Sequence, residues 1–514
     1  MRRGILSAAC FLPILFFGAS VSGNSGRIDR AAEGWLKGRG IRPSPPCSDG
    51  VFLRRVHLDL AGTLPTAEEA VAFLDDPDSK KRERVVDELL LSPEHAAYWT
   101  MKWCDRLRVK SEFPSKLWPN AVQAYARWIR VALRDNLPYD RFAAALLTTS
   151  GSNFRDPPVN FYRALPSRTP EGIAQAVALT FLGERTEGWS EERRNGLAAF
   201  FAGVSYKSTS EWKEEIVYFD PAKLPLLDEA GNPVRPVFPD GRPADVPSGT
   251  DARRAFVAWL TNDVSFARCE ANRVWYELTG RGLVHPPDDF RSENPPLSPE
   301  LLDVLTEEFR RSGFDERALI RSIVLSSTYG RSSVPVPGNA HDESGLSRYL
   351  PRRLEAETLI DAINAVTGSE ESYSSAIPEP FTWIPERCRA VELYDGSITS
   401  PFLELFGRPP RDSGYADERN NDFSPTQALH LLNSSHLRKK LISNKKLLGW
   451  KGERGGSKWK KNREFVEDVY LTILSRRPTA AERGIVLEYL TERKGTRVDV
   501  AWALINGKEF LFRH

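Results

Sequence analysis

Two carboxylates stand side by side at Asp288 and Asp289, in the proline-rich loop His285-Pro-Pro-Asp-Asp-Phe-Arg291. Two carboxyl groups held about 5–10 Å apart across a cleft are the equipment of glycoside hydrolysis, one as acid and one as base or nucleophile. Loops on a rigid scaffold are where such groups collect. Asp288 and Asp289 are thus the candidate catalytic residues; the alternative is that they cap a helix end and fix the loop, a common use of Asp. His285 and Asp288, spaced His-x-x-Asp, offer two metal ligands with no third nearby, and His430 and His436 are too far apart in sequence to share a helix face. Neither a metal nor another cofactor is expected.

A second group of residues suits anion binding. The loop Ser152-Asn-Phe-Arg155, followed by Asn160 and Arg163, mixes amide and guanidinium groups, and Arg273, Arg291 and Arg408 recur later in similar loop settings. A guanidinium presents a rigid fork to carboxylate, sulfate or phosphate, so Asn153, Arg155, Asn160, Arg163, Arg273, Arg291 and Arg408 are candidate binding residues. The competing reading has them tying loops to helix ends and buried carboxylates. A third group is a basic run from Arg438 to Arg463, in which Glu453 is the only acid and Lys458, Lys460 and Lys461 are closely spaced. Its ordinary reading is a solvated surface; its functional reading is an electrostatic dock for an anionic polymer. No nucleophile elbow, phosphate-cradling glycine loop or zinc-helix motif occurs.

Several elements must position these groups. The chain has 514 residues, 41% hydrophobic and 27% charged, which fits a packed globular protein; a net charge of +2 favours no particular partner. Arg2 and Arg3, the apolar run Ile5–Phe17 and the small residues after it read as a secretory signal peptide over residues 1–23. The run is too short to span a membrane, which takes about 20 residues, and no later segment is long and apolar enough. Cys47, Cys104, Cys269 and Cys388 then remain, spaced too widely for a disulfide framework or metal pattern. Cys104 and Cys269 have apolar helical neighbours and read as buried thiols.

From residue 27 onward the apolar spacing is helical. Thr66-Ala-Glu-Glu69 has the form of a capping box, and Ser92-Pro93, Thr169-Pro170 and Ser298-Pro299 each open a helix with proline at its first position. Seven prolines between residues 218 and 250 exclude helix interiors and central strands, which makes this stretch an extended connector with room for a short hairpin near Glu229-Ala-Gly-Asn232. The fold expected is mainly α with little β: a helical domain over 27–217, the connector over 218–250, and a second helical domain over 251–514.

Particular stretches add a resemblance. They are Asn136-Leu-Pro-Tyr-Asp-Arg-Phe142, Gly151–Arg163, Ala176-Val-Ala-Leu-Thr-Phe-Leu-Gly183 and Gly196-Leu-Ala-Ala-Phe-Phe201 in the first half. In the second half they are Asn272-Arg-Val-Trp275, Pro286–Arg291, Arg348–Glu357, Phe406-Gly-Arg-Pro409 and Gln427–Asn433. In this order the chain resembles secreted planctomycete proteins that carry paired domains of unknown function, numbered 1549 and 1553, often fused to cytochrome-c-like modules. Many such relatives hold a Cys-x-x-Cys-His motif between the leucine-glycine and alanine-phenylalanine pieces. Here Glu184–Asn195 has neither Cys nor His, and Asp412–Asn420 likewise lacks the cysteines of a second region, which suggests one local site that this chain has dropped. Covalent haem needs both thiols and the axial His, so the purified protein is expected to be colourless, with no Soret band; a stoichiometric Soret band would overturn this.

The function these features imply is an exported, non-redox accessory or binding protein of the periplasm, cell envelope or extracellular space, working with partner proteins on complex acidic or sulfated polysaccharide. The resemblance implies a secreted sulfatase-like protein as partner, and nothing suggests nucleic acid. Two alternatives stand: a glycan-active enzyme with a carboxylate/Arg cleft in the second domain, and a degenerate member of a cytochrome-associated electron-transfer family.

Overall fold

The computed structural model describes residues 22–443, 458–491 and 495–514. Residues 1–21, most of the stretch 1–23 read as a signal peptide, and the middle of the basic run lie outside the described residues, as do the side chains of Lys458 and Lys460; Lys461 is half-buried on the helix Lys458–Leu474.

Helix outweighs strand by 53% to 6%, so the fold is mainly α. The local signals act where the sequence puts them. Thr66 and Glu69 form a reciprocal capping box at the start of Ala67–Asp75. Ser92 Oγ accepts from the His95 amide at 3.1 Å, with Pro93 at the first position of the helix Pro93–Arg106. Thr169 and Ser298 cap Pro170–Val177 and Pro299–Arg311 in the same way. The sequence pattern carries the helix from Pro170 to Leu182; the chain does continue, but its last turn, Ala178–Leu182, widens into a π-turn that ends at Gly183 in the left-handed region.

Helices from both sides of the connector meet through rings. Trp103 lies 4.8 Å from Phe142 and 5.8 Å from Tyr139, and Tyr139 stacks on Phe266 at 4.4 Å. Offset and tilted pairs of this kind add about 0.5–1.5 kcal/mol each beyond their burial. One apolar core accordingly runs from Ile28 through Tyr349 and takes in residues on both sides of the connector. A second forms mainly from Leu354 to Leu511, with Leu58 and Leu64 reaching into it. The connector therefore divides the sequence without dividing the core. It is clamped by Phe238, which stacks between Phe200 at 5.0 Å and Trp259 at 5.3 Å, and it carries the short hairpin pairing Leu226–Leu227 with Pro233–Val234.

The sequence shows no period-two stripe, yet a three-stranded antiparallel sheet is present: Gly151–Ser152, Glu215–Phe219 and Val204–Ser208, with Glu215–Phe219 central. Its strands are at most five residues long, and Val217 alone is buried in the central one, too few positions for an alternating pattern. A second pairing, Arg352–Arg353 with Phe512–Arg513, returns the last residues to the middle of the molecule.

Arginines staple this interior through backbone carbonyls that no helix or sheet satisfies. Arg54 donates to the carbonyls of Ile473 and Phe510 at 2.8 and 2.9 Å, and Arg353 to those of Leu354, Phe406 and Asn420. Five fixed N–H donors and an apolar stem suit Arg to this task.

Glu308, on Pro299–Arg311, is buried with neither carboxyl oxygen bonded to a protein group. Burial pushes its carboxyl up to about 7. The folded chain thus holds this proton above the pH at which the unfolded chain releases it, and stability falls as pH rises from about 4.5 to 7. Glu308→Leu is expected to stabilise the fold by about 1–3 kcal/mol at pH 8 and by less at pH 5, as read from urea midpoints at the two pH values.

Candidate functional site

Two helices and three connecting segments build an interior charged cluster. Pro93–Arg106 supplies Lys102, Asp105 and Arg106, which its 3.6-residue period places on one face. Val264–Thr279 supplies Arg273, Tyr276 and Glu277 on a face turned toward the first, with Glu270 behind them against Arg106. The 286–291 loop adds Asp288, the approach to the helix Ala356–Thr367 adds Arg352 and Glu355, and the 409–421 segment adds Tyr415 and Arg419. Together they enclose about 60 Å³, space for a few water molecules and not for a sugar ring.

The charges in this cavity neutralise one another. Lys102 lies between Glu277, at 3.0 Å, and Glu355. Arg419 bridges Asp105 at 2.7 Å and Glu357 at 2.6 Å, Arg106 pairs with Glu270 at 2.8 Å, and Arg513 reaches Glu355 at 3.1 Å. Burial would push the Glu355 carboxyl up, but the charges of Arg513, Lys102 and Arg419 prevail and hold it well below the carboxylate range. The same balance lowers Asp105 and Glu277 and raises Lys102. At neutral pH these four groups are ionised and paired, so none is a general acid or base waiting for a substrate. Behind them burial, reinforced by the Glu270 charge, pushes Glu316 well above its usual value, so that it keeps its proton.

Outside this cavity lies an open groove of about 1140 Å³. Gly183 sets its geometry. In its left-handed conformation a β-carbon would stand 2.9 Å from a Phe290 ring carbon and 3.0 Å from Cys269 Sγ, so only glycine lets the chain pass this close. The Gly183 carbonyl accepts from the Phe290 amide at 2.9 Å, which lays Glu184–Asn195 beside the 288–296 loop. Arg185, Arg193, Arg268 and Arg291 line the groove with Glu184, Glu187, Asp289, Glu293 and Asp417, and Trp189, Phe290 and Tyr415 supply its ring surfaces. Arg193 stacks 3.5 Å over Trp189 and pairs with Glu184 at 2.9 Å. Arg185 stands between groove and cavity, 3.2 Å from Asp288 and 4.7 Å from the Tyr415 ring.

Glu184–Asn195 and Asp412–Asn420 meet at this groove. Tyr415 Oη donates to Glu187 at 3.2 Å, and Arg185 lies 3.8 Å from Asp417. Glu184–Asn195 contains no thiol or imidazole, and Arg185 and Arg193 pair with carboxylates while Arg194 donates to the Trp189 carbonyl, so these residues do not fit a covalent haem. Cys269, just behind Gly183, is fully buried; burial pushes its thiol and that of Cys104 up to about 12. All four cysteines from Cys47 onward are free thiols. Among the described residues no group of three or more His, Cys, Asp or Glu side chains is placed to hold a metal ion, and no helix is long and apolar enough to cross a membrane.

The residues singled out in the sequence fall in four places. Asp288 and Asp289 face different spaces: Asp288 lines the inner cavity and accepts from Arg185 and the Ala416 amide, while Asp289 lines the groove and pairs with Arg291 at 3.2 Å. Arg273 joins Asp288 at the cavity but spends its guanidinium on the carbonyls of Leu179 and Thr180. Asn153, Asn160 and Arg163 are buried and satisfy one another, Glu215 and nearby carbonyls, with Arg155 exposed on the same loop. Arg408 is buried against the carbonyls of Ile398, Leu393 and Asp395, and burial lowers it to about 10. The residues not anticipated are Lys102, Glu277, Glu355 and Arg419 in the cavity and Arg185, Arg193 and Arg268 in the groove. The signal available was charge on otherwise apolar helix faces, such as Lys102 between Trp99 and Trp103.

Residues 27–197 match the family model described as a protein of unknown function, PSCyt2 (DUF1549), and residues 252–490 match a second described in the same way, PSD1 (DUF1553). Neither a curated protein nor a solved structure matches the chain. With both domains present in this order, the chain belongs to the planctomycete cytochrome-associated family that pairs DUF1549 with DUF1553.

Proposed function

We propose that the protein is an exported, non-redox binding protein of the cell envelope that holds a segment of acidic or sulfated polysaccharide in the groove beside Gly183. The observation that carries this reading is the difference in size and exposure between the two spaces. The cavity's paired charges are buried around about 60 Å³, whereas the groove sets four arginines, each paired with a carboxylate but partly open to solvent, beside ring surfaces in about 1140 Å³, a space large enough for several sugar units. Arg291 is largely exposed, and Arg193 and Arg268 are partly so, so that sulfate or carboxylate oxygens can reach guanidinium groups that also pair with Asp289, Glu184 and Asp303. Asp288 and Asp289, turned to different spaces, do not make the facing pair that hydrolysis requires. Export rests on residues 1–23, and partnership with a secreted sulfatase-like protein on the family. Glycan-array binding at rising salt tests the reading. Acidic and sulfated glycans are expected to bind, with signal falling steeply as screening shortens to about 8 Å at physiological ionic strength. Binding to neutral glycans alone, or to none, would exclude it.

A further inference from the structure

A cluster of exposed rings lies away from the groove. Trp212 is 65% and Phe381 43% exposed, and both pack on half-buried Trp118, at 6.3 and 5.5 Å, with their ring planes steeply inclined to its indole. Lys213 Nζ lies in the notch between the indoles, 4.9 Å from the Trp118 ring and 5.1 Å from that of Trp212. Phe113 and Trp383, also exposed, stand on the same loops, with Lys116 5.5 Å from the Phe113 ring. Four large exposed apolar side chains from three separate loops are more than scattered surface hydrophobicity explains.

The backbone beneath is strained and anchored. Lys116, Trp118 and Lys213 have φ of 53°, 75° and 59°. Non-glycine residues in this region cost about 1–3 kcal/mol each and persist where surrounding structure imposes them. The anchors are visible: the Ser111 amide donates to Asp395 at 3.0 Å, the Glu112 amide to Ser397 Oγ at 3.0 Å, and Asn153 Nδ2 to the Lys213 carbonyl at 3.2 Å. The rings are thus presented on a preformed support, which lowers the ordering cost of binding.

From these observations we propose that Trp118, Trp212, Phe381 and Lys213 form a second binding site, a platform on which pyranose rings of an anionic polysaccharide stack while Lys213 takes a sulfate or carboxylate group. The large apolar side chains exposed on these loops are all aromatic; a protein-docking surface would mix in aliphatic side chains, whereas the C–H face of a sugar needs only flat rings. An ammonium between two indoles supplies the complementary charge. Glu214, the nearest acid in sequence, turns away to bond Ser152 and Thr209. The platform rests on the reading of the protein as a polysaccharide binder, but not on the groove itself.

The test uses the full exported protein labelled with 5-fluorotryptophan and titrated with a chondroitin sulfate hexasaccharide, with Trp212→Phe assigning the Trp212 fluorine resonance. That resonance is expected to shift saturably. Phe381→Ala is expected to weaken the binding read from this resonance by about tenfold, and Lys213→Gln to weaken it for the sulfated probe more than for its desulfated counterpart. In the groove variant Arg193→Gln/Arg291→Gln the Trp212 shift should persist; persistence there with loss of all other binding would sustain the platform while removing the groove. An unmoved Trp212 resonance overturns the platform, whether or not the hexasaccharide binds elsewhere. So does a shift that tracks protein concentration without glycan, which would mark a contact between copies of the chain.

Discussion

Lys102→Ala is expected to cost about 3–5 kcal/mol of stability, because it leaves two carboxylates buried without their shared cation. Glu277 would keep only Arg106 at 3.7 Å, and Glu355 would keep Arg513 and the Tyr98 hydroxyl at 2.7 Å. The cost depends on pH in a definite direction. In the native protein Glu277 and Glu355 lie below their ordinary values, so the stability they confer is present above about pH 4.5 and is lost as pH falls through their folded values. Lys102 is raised, so its contribution is present below its ordinary value near 10.5 and lost only as pH rises through the still higher folded value. Without Lys102 the two carboxyls can relieve the loss by taking up protons. The deficit should therefore be greatest near pH 7–8 and shrink as pH falls below about 5. Urea midpoints across pH 4–8 measure this. A deficit under about 1 kcal/mol at pH 7, or one that grows toward acid, would show that the cluster is not a matched ion network.

The second large effect concerns the groove. Arg193→Gln/Arg268→Gln/Arg291→Gln is expected to weaken binding of a sulfated oligosaccharide by about 100-fold or more, since each charge-assisted hydrogen bond contributes about 1.5–3 kcal/mol. The fold should lose less, because Arg268–Asp303 and Arg291–Asp289 are solvent-screened pairs of the kind that contribute about 0–1 kcal/mol, which leaves Arg193, stacked on Trp189 and paired with Glu184, as the main structural loss. Calorimetric titration beside a thermal melt separates the two effects. Undiminished affinity in the triple variant would move the binding site elsewhere.

Some of this was legible in the sequence and some was not, for physical reasons. Helix starts such as Thr66–Glu69 and Ser92-Pro93 are local events, decided by a hydroxyl and the next few amides, and they are readable. The wrapping of one core around both sides of the connector depends on contacts between Tyr139 and Phe266, far apart in sequence, which no local pattern encodes. At the site, Asp288, Asp289 and Arg291 stand out because they occupy a proline-rich loop. Lys102 and Glu355 do not, since a charge on an apolar helix reads as an outward face until its partner is known. The juxtaposition of Glu184–Asn195 with Asp412–Asn420 is hinted at by the joint absence of cysteines and takes physical form in the Tyr415–Glu187 and Arg185–Asp417 contacts.

The central claim, that this chain binds an anionic polysaccharide without altering it, is tested most directly by incubating the purified protein with a size-defined sulfated oligosaccharide, measuring the binding isotherm and then weighing the recovered sugar by mass spectrometry. The account predicts saturable, salt-sensitive binding with the oligosaccharide recovered at its original mass. Shortened or desulfated products, or no binding even at low salt, would contradict it.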